Sequence, residues 1–155
     1  MATLFIPIGT SGAGKTTMFN KLKESNPQLE QYSWDVLRHR WYDPVYYKRA
    51  WELSTQDGAF GKKINDEYLK MLDEAKDLYI DNMNLSPKKR KWFLEEAKKR
   101  NYKTVAIVFP NVTLEMVIER QKTRGDKNVP EAAVRQQWMA LKGPMPGEFD
   151  SIVTA

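Results

Sequence analysis

Residues 9 to 16 read Gly-Thr-Ser-Gly-Ala-Gly-Lys-Thr and match the pattern G-x-x-x-x-G-K-[S/T] of a phosphate-binding loop. In such a loop, Gly12 and Gly14 let the backbone form a nest of N–H groups around nucleotide phosphates. Lys15 reaches the β and γ oxygens, and Thr16 supplies a hydroxyl to Mg²⁺. The pattern therefore predicts a nucleoside triphosphate, bound with Mg²⁺, as a phosphoryl donor.

The sequence on either side of this loop supports the interpretation. The apolar run Leu4 to Ile8 precedes the loop, and Met18, Phe19 and Leu22 follow it at helical spacing until Asn26-Pro27 interrupts. Strand, loop and helix thus come in the required order, and the helix N-terminus favours bound anions. A chance glycine turn between a strand and a helix is the alternative. The residues predicted to bind ATP in this loop are Gly9, Thr10, Ser11, Gly12, Ala13, Gly14, Lys15, Thr16 and Thr17.

Polar residues directly follow two further strand candidates, where the working residues of a doubly wound sheet gather. Asp35 follows the second strand, with Arg38 one helical turn later, and Asp81 and Asn82 follow the third. A carboxylate at Asp35 is suited to accept the proton of an acceptor hydroxyl, although it would also serve as a helix N-cap. Asp81 is placed to hold Mg²⁺ or its waters, or is simply a turn aspartate.

Two arginines form another candidate group. Arg120 and Arg124 are four residues apart and share one face of a helix predicted over residues 114–124, which Gly125 ends. Guanidinium groups next to such a turn predict a lid that carries positive charge onto phosphates. An ordinary basic helix face is the alternative. His39 is the only histidine, so neither a triad nor a histidine metal site is expected.

Length and composition limit the remaining possibilities. With 155 residues, we expect one domain over residues 1–155. The absence of cysteine excludes disulfides, thiolate metal sites and a cysteine nucleophile, and suggests the cytoplasm. No window has the roughly 20 apolar residues of a membrane span, and the start of the chain does not resemble a secretory signal, so no membrane partner is expected.

The net charge of +5 is informative mainly through its placement. Residues 38–51 interleave four permanent cations with five aromatic rings. Such a mixture suits phosphodiester backbones and stacked bases. It equally suits a helix whose rings are core and whose cations are solvated. The basic cluster Lys88 to Lys91 is most simply a solvated helix face, with an auxiliary role in nucleic-acid binding as the alternative.

Apolar strand candidates alternate with helical segments along the chain, which predicts an α/β fold with a mainly parallel, doubly wound sheet of four or five strands and helices on both faces. A helix is expected through Ile64, Tyr68, Met71, Leu72 and Ala75, and another after the N-cap Ser86 and Pro87. The strand candidates are Thr3 to Ile8, Gln31 to Trp34, Leu78 to Ile80, Thr104 to Phe109 and, at an edge, Ser151 to Thr154.

The ordered set of these motifs resembles the kinase domain of phage-type 5′-polynucleotide kinases, a P-loop kinase family, over nearly the whole chain. The likeness rests on the loop at residues 9–16, on Trp34-Asp35-x-x-Arg38, on residues 81–87 followed by a basic helix, and on residues 119–130. Met83 stands where that family usually has threonine.

The resemblance implies a P-loop kinase fold with an arginine-bearing lid, and it implies roles for single residues. Asp35 would be the general base toward a 5′-hydroxyl, and Arg38 would contact the nearest phosphate of the acceptor. Lys15 and Arg124 would be catalytic, Arg120 and Arg124 would contact the ATP phosphates, and Asp81 and Asn82 would lie at the acceptor. No D-x-D-G phosphatase motif is present, so we expect a separate phosphatase, and a ligase, to act in the same repair pathway.

The leading hypothesis is therefore transfer of the γ-phosphoryl group of ATP, with Mg²⁺, to a 5′-hydroxyl of single-stranded or nicked DNA or RNA. A kinase acting on another primary alcohol, such as a hydroxymethylated base in phage DNA or a small metabolite, is the first alternative. A nucleotide-dependent nucleic-acid-binding module is the second, and such a module would not need Asp35.

Overall fold

The computed structural model describes residues 1–155 and is built on one parallel sheet of five strands in the order β2-β3-β1-β4-β5. This confirms the predicted α/β class and includes the fifth strand at the edge. The strands are β1 Thr3–Ile8, β2 Glu30–Tyr32, β3 Leu78–Ile80, β4 Lys103–Val108 and β5 Ser151–Thr154.

Seven α-helices and one short 3₁₀ turn connect these strands. The helices are α1 Lys15–Ser25, α2 Trp34–Trp41, α3 Tyr47–Gln56, α4 Phe60–Asp73, α5 Pro87–Lys99, α6 Leu114–Gln121 and α7 Glu131–Ala140. The 3₁₀ turn spans Gly125–Lys127. No helix combines the length and the apolar character that a bilayer crossing requires.

The sheet is covered on both faces because its strand residues are apolar at successive positions. Leu78 and Ile80 of β3 belong to the larger core, which is formed with α2, α4 and α5. Tyr79, between them, belongs to a smaller core on the opposite face with Phe19 of α1. Alternation of side chains along a strand thus places one residue set on each face. The central strand β1, which ends at the phosphate-binding loop, is packed between the two layers.

The second strand differs from its prediction. It covers Glu30–Tyr32, whereas Trp34 is the first residue of α2. Ser33 caps this helix, because its hydroxyl accepts a hydrogen bond from the backbone N–H of Val36 at 3.3 Å. A serine N-cap ends the strand two residues earlier than the apolar pattern suggested. The alternative role of Asp35 as the N-cap is therefore wrong.

The bounds of three other elements shift. The fourth strand begins at Lys103 and ends before Phe109. The helix predicted to continue to Ala75 ends at Asp73, because Ala75 adopts a left-handed φ of 56°. The helix predicted over residues 114–124 ends at Gln121, and the chain then tightens into turns with i to i+3 bonds. Gly125, with φ 60°, opens the 3₁₀ turn.

The start of α5 is confirmed, with Ser86 as N-cap and Pro87 in the first turn. The interpretation of the Lys88 to Lys91 cluster as a solvated face is wrong for Arg90, which is fully buried. Its guanidinium donates to both carboxylate oxygens of Glu148 at 2.9 Å and to the carbonyl oxygens of Asn84, Lys142 and Gly143. Arg90 thereby ties the segment after α7 to the end of β3.

Candidate active site

The phosphate-binding loop requires glycine at two positions for reasons of backbone conformation. Gly12 and Gly14 have φ values of 86° and 100°, in the left-handed region that other residues rarely adopt. A Cβ at Gly12 would also lie 3.0 Å from the side-chain nitrogen of Gln121. The loop is anchored at its start, where the N–H of Gly9 donates to the carbonyl of Met83 at 3.1 Å. The backbone N–H groups beyond Gly12 are thus held in the curved arrangement that binds anions.

Lys15 lies in the first turn of α1, and its Nζ donates to the carbonyl oxygen of Thr10 at 2.7 Å. Burial of the ammonium group lowers the pKa of Lys15 to about 8, although the charges of Asp81 and Asp35 oppose this shift. The nearby charge of Arg124 lowers the pKa further. The charges of both carboxylates thus act on Lys15, and its partly desolvated ammonium group would be stabilised by an anionic ligand.

The carboxylate of Asp81 meets the phosphate-binding loop at the end of β3. Thr16 donates its hydroxyl hydrogen to Oδ2 of Asp81 at 2.8 Å, and Gln31 donates to the same oxygen at 2.7 Å. No group of three or more acidic or histidine side chains forms a cage for a metal. A hydroxyl and one carboxylate nevertheless fit Mg²⁺, because this ion usually takes one or two protein oxygens and completes its shell with phosphates and water.

Asp35 occupies the second position of α2, and its side chain is 40% exposed. Two donors bind the same carboxylate oxygen, since Arg38 Nη1 and the hydroxyl of Tyr47 each lie 2.9 Å from Oδ1. The second oxygen, Oδ2, has no hydrogen-bond partner in the protein. The carboxylate is thus oriented on one side and open to an incoming group on the other.

Arg38 is only 9% exposed and is packed between aromatic rings. Its guanidinium carbon lies 4.2 Å from the ring centroid of Trp51 and 5.1 Å from that of Phe60, and its Nε donates to the hydroxyl of Ser54 at 3.2 Å. Cation–π contacts and hydrogen bonds together restrict the side chain to one orientation. Its Nη2 has no protein acceptor and is available for a ligand.

Arg120, near the end of α6, and Arg124, in the turns that follow it, lie over the phosphate-binding loop. Arg120 Nη1 donates to the carbonyl of Gly12 at 2.8 Å, and Arg124 Nη1 donates to the hydroxyl of Ser11. The side chain of Gln121, between them, is buried and donates to the carbonyl of Ser11 at 3.2 Å. The alternative of an ordinary solvated helix face does not describe these contacts. We call residues 114–128 the arginine segment.

Asp81 and Asn82 point to different parts of the site. The carboxylate of Asp81 contacts Thr16, whereas Asn82 Oδ1 accepts a 3.2 Å hydrogen bond from the backbone N–H of Trp34. The Nδ2 of Asn82 is buried without a partner, and it is the one buried side-chain polar atom in this condition. The end of β3 therefore connects the phosphate-binding loop to the start of α2, where Asp35 lies.

The structure also brings in residues that the sequence analysis did not select. Gln31 orients Asp81, Tyr47 orients Asp35, Gln121 braces Ser11, and Gln137 accepts from the N–H of Ser11 at 3.0 Å. None belongs to a local motif, and Gln137 acts 126 residues away from its partner. Asn84, by contrast, carries a local signal, because it adopts a left-handed φ of 54° that asparagine tolerates.

The aromatic and basic residues 38–51 were compatible with nucleic-acid binding or with a helix whose rings are core, and the structure shows both buried and exposed rings. Trp41 packs against the larger core, and the hydroxyl of Tyr42 donates to Asp57 at 2.7 Å. By contrast, Tyr46 is 65% exposed and Trp51 is 49% exposed. Part of the segment is therefore structural, and part presents rings to solvent next to Arg38 and Asp35.

Comparison with known proteins adds a family and several related folds. A family model described as an AAA domain, AAA_33, matches residues 4–145. No curated protein gives a significant sequence match. Among solved structures, a gluconokinase from Sinorhizobium meliloti 1021 is 14% identical with a TM-score of 0.63, and the match covers 98% of this chain and 81% of that chain.

Two other solved structures concern RNA. A chain of the Pnkp1/Rnl/Hen1 RNA repair complex is 16% identical with a TM-score of 0.70, and the match covers 90% of this chain and 44% of that one. A fungal RNA kinase is 18% identical with a TM-score of 0.60, with coverage of 99% of this chain and 73% of the other. At these identities the likeness demonstrates a shared fold, that of P-loop kinases.

Proposed function

The chain belongs to the AAA_33 family of P-loop kinase domains, and from this premise we propose that it transfers the γ-phosphoryl group of ATP to the 5′-hydroxyl end of DNA or RNA. The observation that carries the proposal is the hydrogen bonding of the two Asp35 carboxylate oxygens. One oxygen is held by Arg38 and Tyr47, the other has no partner in the protein, and the charge of this carboxylate acts on Lys15. Such a carboxylate is arranged to receive a proton.

In the proposed reaction, the acceptor hydroxyl donates its hydrogen to Oδ2 of Asp35. The hydroxyl oxygen forms a bond to the γ-phosphorus as the bond from that phosphorus to the β,γ-bridging oxygen breaks, so ADP leaves and the proton remains on Asp35. The protein contributes chiefly orientation and charge, since phosphoryl transfer needs little covalent chemistry from the enzyme. Asp35 therefore acts as general base.

Positive charge surrounds the place where the γ-phosphate would lie. Lys15 of α1, Arg120 of α6 and Arg124 of the turns after α6 all contact the loop. Guanidinium groups bind phosphate oxygens more strongly than the neutral carbonyl and hydroxyl that the two arginines now contact. Thr16 and Asp81 would hold Mg²⁺, which supplies further neutralisation of the phosphate charge. These residues form the donor half of the site.

Features of the acceptor half favour a nucleic acid over a small alcohol. Nη2 of Arg38 is free to bind the phosphate nearest to a terminal hydroxyl. One side of Trp51 covers Arg38 while half of its surface is open, which suits a stacked base. Lys48 and Arg49 are exposed on the same helix and offer contacts to a polyanionic backbone. A metabolite would use few of these groups.

The fold comparisons are consistent with this acceptor, because an RNA kinase and a chain of an RNA repair complex share the fold. We therefore retain the phage-type polynucleotide kinase as the functional model. In the same model, a ligase and a separate phosphatase act on the same broken ends.

The test is an end-labelling assay with radiolabelled ATP and 5′-hydroxyl oligonucleotides that are single-stranded, nicked or recessed. We expect label at the 5′ end, with no label on oligonucleotides that already carry a 5′-phosphate. The Asp35→Asn variant should lose transfer, whereas Asp66→Asn, which removes a surface carboxylate paired with Lys62, should not.

Other outcomes identify the rival functions. Label on internally hydroxymethylated duplexes, or on a small alcohol such as gluconate, with none on 5′-hydroxyl ends would replace the proposed acceptor. Tight ATP binding with no transfer to any alcohol would indicate a nucleotide-dependent binding module, and Asp35→Asn would then have no effect on nucleic-acid binding.

A further inference from the structure

One residue contacts both the candidate general base and the arginine segment. The hydroxyl of Tyr47 donates to Oδ1 of Asp35 at 2.9 Å, and its backbone N–H donates to the carboxylate of Asp126. The N–H of Lys48 donates to the same carboxylate oxygen at 3.3 Å. Asp126 thus lies 79 residues from Tyr47 in sequence but is in direct hydrogen-bond contact with it.

These two N–H groups are the first two of α3 and have no partner within the helix. Tyr46, at the N-cap position, provides no side-chain acceptor. Asp126 therefore caps α3 from another part of the chain, and its negative charge is favourable at a helix N-terminus. Lys127 strengthens the contact, because its Nζ lies 5.6 Å from the ring centroid of Tyr47.

Asp126 lies in the 3₁₀ turn directly after Arg124. Arg124 contacts Ser11 in the phosphate-binding loop, and Arg120 contacts Gly12. ATP phosphates would offer these guanidinium groups charged acceptors in place of neutral ones and would hold the segment more firmly. The position of Asp126, and with it the start of α3, depends on that segment.

We propose that Asp126 and Tyr47 couple closure of the arginine segment on the donor phosphates to the placement of the Asp35 carboxylate. This inference rests on the proposed function, in which Asp35 is the base. Tyr47 is a positioning residue in this proposal, because it acts through the carboxylate of Asp35, to which its hydroxyl donates. Burial, and then the charge of Asp35, raise the pKa of Tyr47, so that its hydroxyl stays protonated and remains a donor at neutral pH.

Linkage requires the coupling to act in both directions. If ATP holds the arginine segment and thereby the N-terminus of α3, the amide hydrogens of Tyr47 and Lys48 must become better protected when ATP binds. These two amides report the Asp126 contact directly, since that carboxylate is their only acceptor.

The experiment measures hydrogen exchange of peptides covering residues 46–51 in the full chain, with and without saturating ATP and Mg²⁺. In the unmodified protein we expect ATP to slow exchange of the two amides about five-fold or more, the lower end of ordinary coupling. In Asp126→Ala this effect should vanish, while the Kd for ATP changes less than about three-fold, since Arg120 and Arg124 remain. An ATP effect that persists in Asp126→Ala, or is absent from the unmodified protein, would overturn the proposal.

Glu119→Ala is the matched control. Glu119 is an exposed carboxylate on α6 that pairs only with Lys122, at 2.8 Å, and its removal should leave the ATP effect intact. Loss of the effect in this control as well would show that the segment is merely destabilised by losing an acid, which would also overturn the proposal.

Tyr47→Phe separates the two halves of the link. This variant keeps the backbone bond to Asp126, so protection by ATP should be retained, but it loses the hydroxyl that holds Asp35. We expect kcat for phosphoryl transfer to fall about ten-fold with KM for ATP unchanged, as for a misplaced base. An unchanged kcat would remove Tyr47 from the coupling. If no oligonucleotide is phosphorylated at all, the proposed function fails, and the exchange measurement still decides the link between Asp126 and α3.

Discussion

The hydroxyl of Thr16 donates a 2.8 Å hydrogen bond to the carboxylate of Asp81, across 65 residues of sequence. This bond joins the first turn of α1 to the end of β3 and brings together the two oxygen ligands that suit Mg²⁺. The pairing follows from the parallel contact between β1 and β3, because the carboxyl ends of both strands meet at one edge of the sheet.

Removing the Asp81 carboxylate should weaken metal use. In Asp81→Asn, the Mg²⁺ concentration for half-maximal phosphoryl transfer should rise about 10- to 100-fold, because an amide oxygen binds the ion and its waters less strongly. Titration of activity with Mg²⁺ at fixed ATP measures this effect. Asp66→Asn, on the solvent face of α4, should titrate as the unmodified protein does. Identical curves for all three proteins would remove Asp81 from the metal site.

Replacing Asp35, the proposed base, should affect transfer and spare donor binding. We expect Asp35→Asn to lower kcat about 10²-fold or more, since the amide cannot accept the proton, while the Kd for ATP stays within about two-fold. Single-turnover kinetics with a 5′-hydroxyl oligonucleotide and equilibrium ATP binding provide the two measurements. A loss of ATP affinity that accounts for the whole effect would contradict the assignment.

Trp51 should matter for the acceptor alone. Base stacking on an aromatic ring contributes about 1–3 kcal/mol, so Trp51→Ala should raise KM for an oligonucleotide about 5- to 150-fold with KM for ATP unchanged. Trp51→Phe should restore part of the affinity, because it keeps a ring over Arg38. Met139→Ala serves as the control, because it removes an exposed apolar side chain on α7, an element that does not contain Trp51 or Arg38. Equal KM values for all variants would argue for a small acceptor.

The affinity for ATP should depend on pH through Lys15. Because burial lowers the pKa of Lys15 to about 8, the amine is charged at pH 7 and largely neutral above pH 9 in the free protein. Phosphate binding favours the charged form, so ATP affinity should fall as pH rises through 8, and binding above that pH should take up a proton. Calorimetry in buffers of different ionisation enthalpy detects the uptake. In Lys15→Met, binding should be weaker and the proton uptake should disappear.

The buried ion pair of Arg90 and Glu148 should be important for stability. Burial tends to raise the pKa of Glu148, but the hydrogen bonds from Arg90 and from the N–H of Met145 outweigh this and lower it. Glu148→Gln leaves the guanidinium charge uncompensated and should cost about 3–5 kcal/mol in the free energy of unfolding, measured with urea. Glu95→Gln, which breaks an exposed pair with Lys91, should cost less than about 1 kcal/mol.

The same pair predicts an acid dependence. Because the pKa of Glu148 is lower in the folded protein, its contribution to stability is complete above the ordinary carboxyl pKa. It is lost as the pH falls through the lowered folded-state value. The difference in stability between the unmodified protein and Glu148→Gln should therefore shrink on acidification below about pH 4.5. A difference that does not change with pH would contradict this account.

Several features could be predicted because neighbouring residues determine them. The phosphate-binding loop needs glycines with positive φ at positions 12 and 14, and the N-cap Ser86 with Pro87 starts a helix by local hydrogen bonding and a fixed φ. The parallel sheet followed from the alternation of apolar strands with helices. Element ends were less accurate where a single side chain decides them, as Ser33 does for α2.

Other features depend on contacts between residues that are far apart in the chain. The basic cluster on α5 was predicted to be solvated, yet Arg90 is buried and binds Glu148 and three carbonyl groups. Glu148 lies 58 residues from Arg90 in the sequence. The roles of Gln31, Gln121 and Gln137 are of the same kind, since glutamine at these positions carries no local signal of its partner.

The sequence by itself determined the phosphate-binding loop and the fold class, because a loop of this kind and buried strands are specified by residues within one short stretch of chain. The tertiary structure decided which oxygen of Asp35 is open, that Tyr47 and Arg38 hold the other, and that Asp126 caps α3. These relationships arise only when strand order and helix packing bring distant backbone and side-chain groups within hydrogen-bond distance, and no local pattern of residue types encodes that distance.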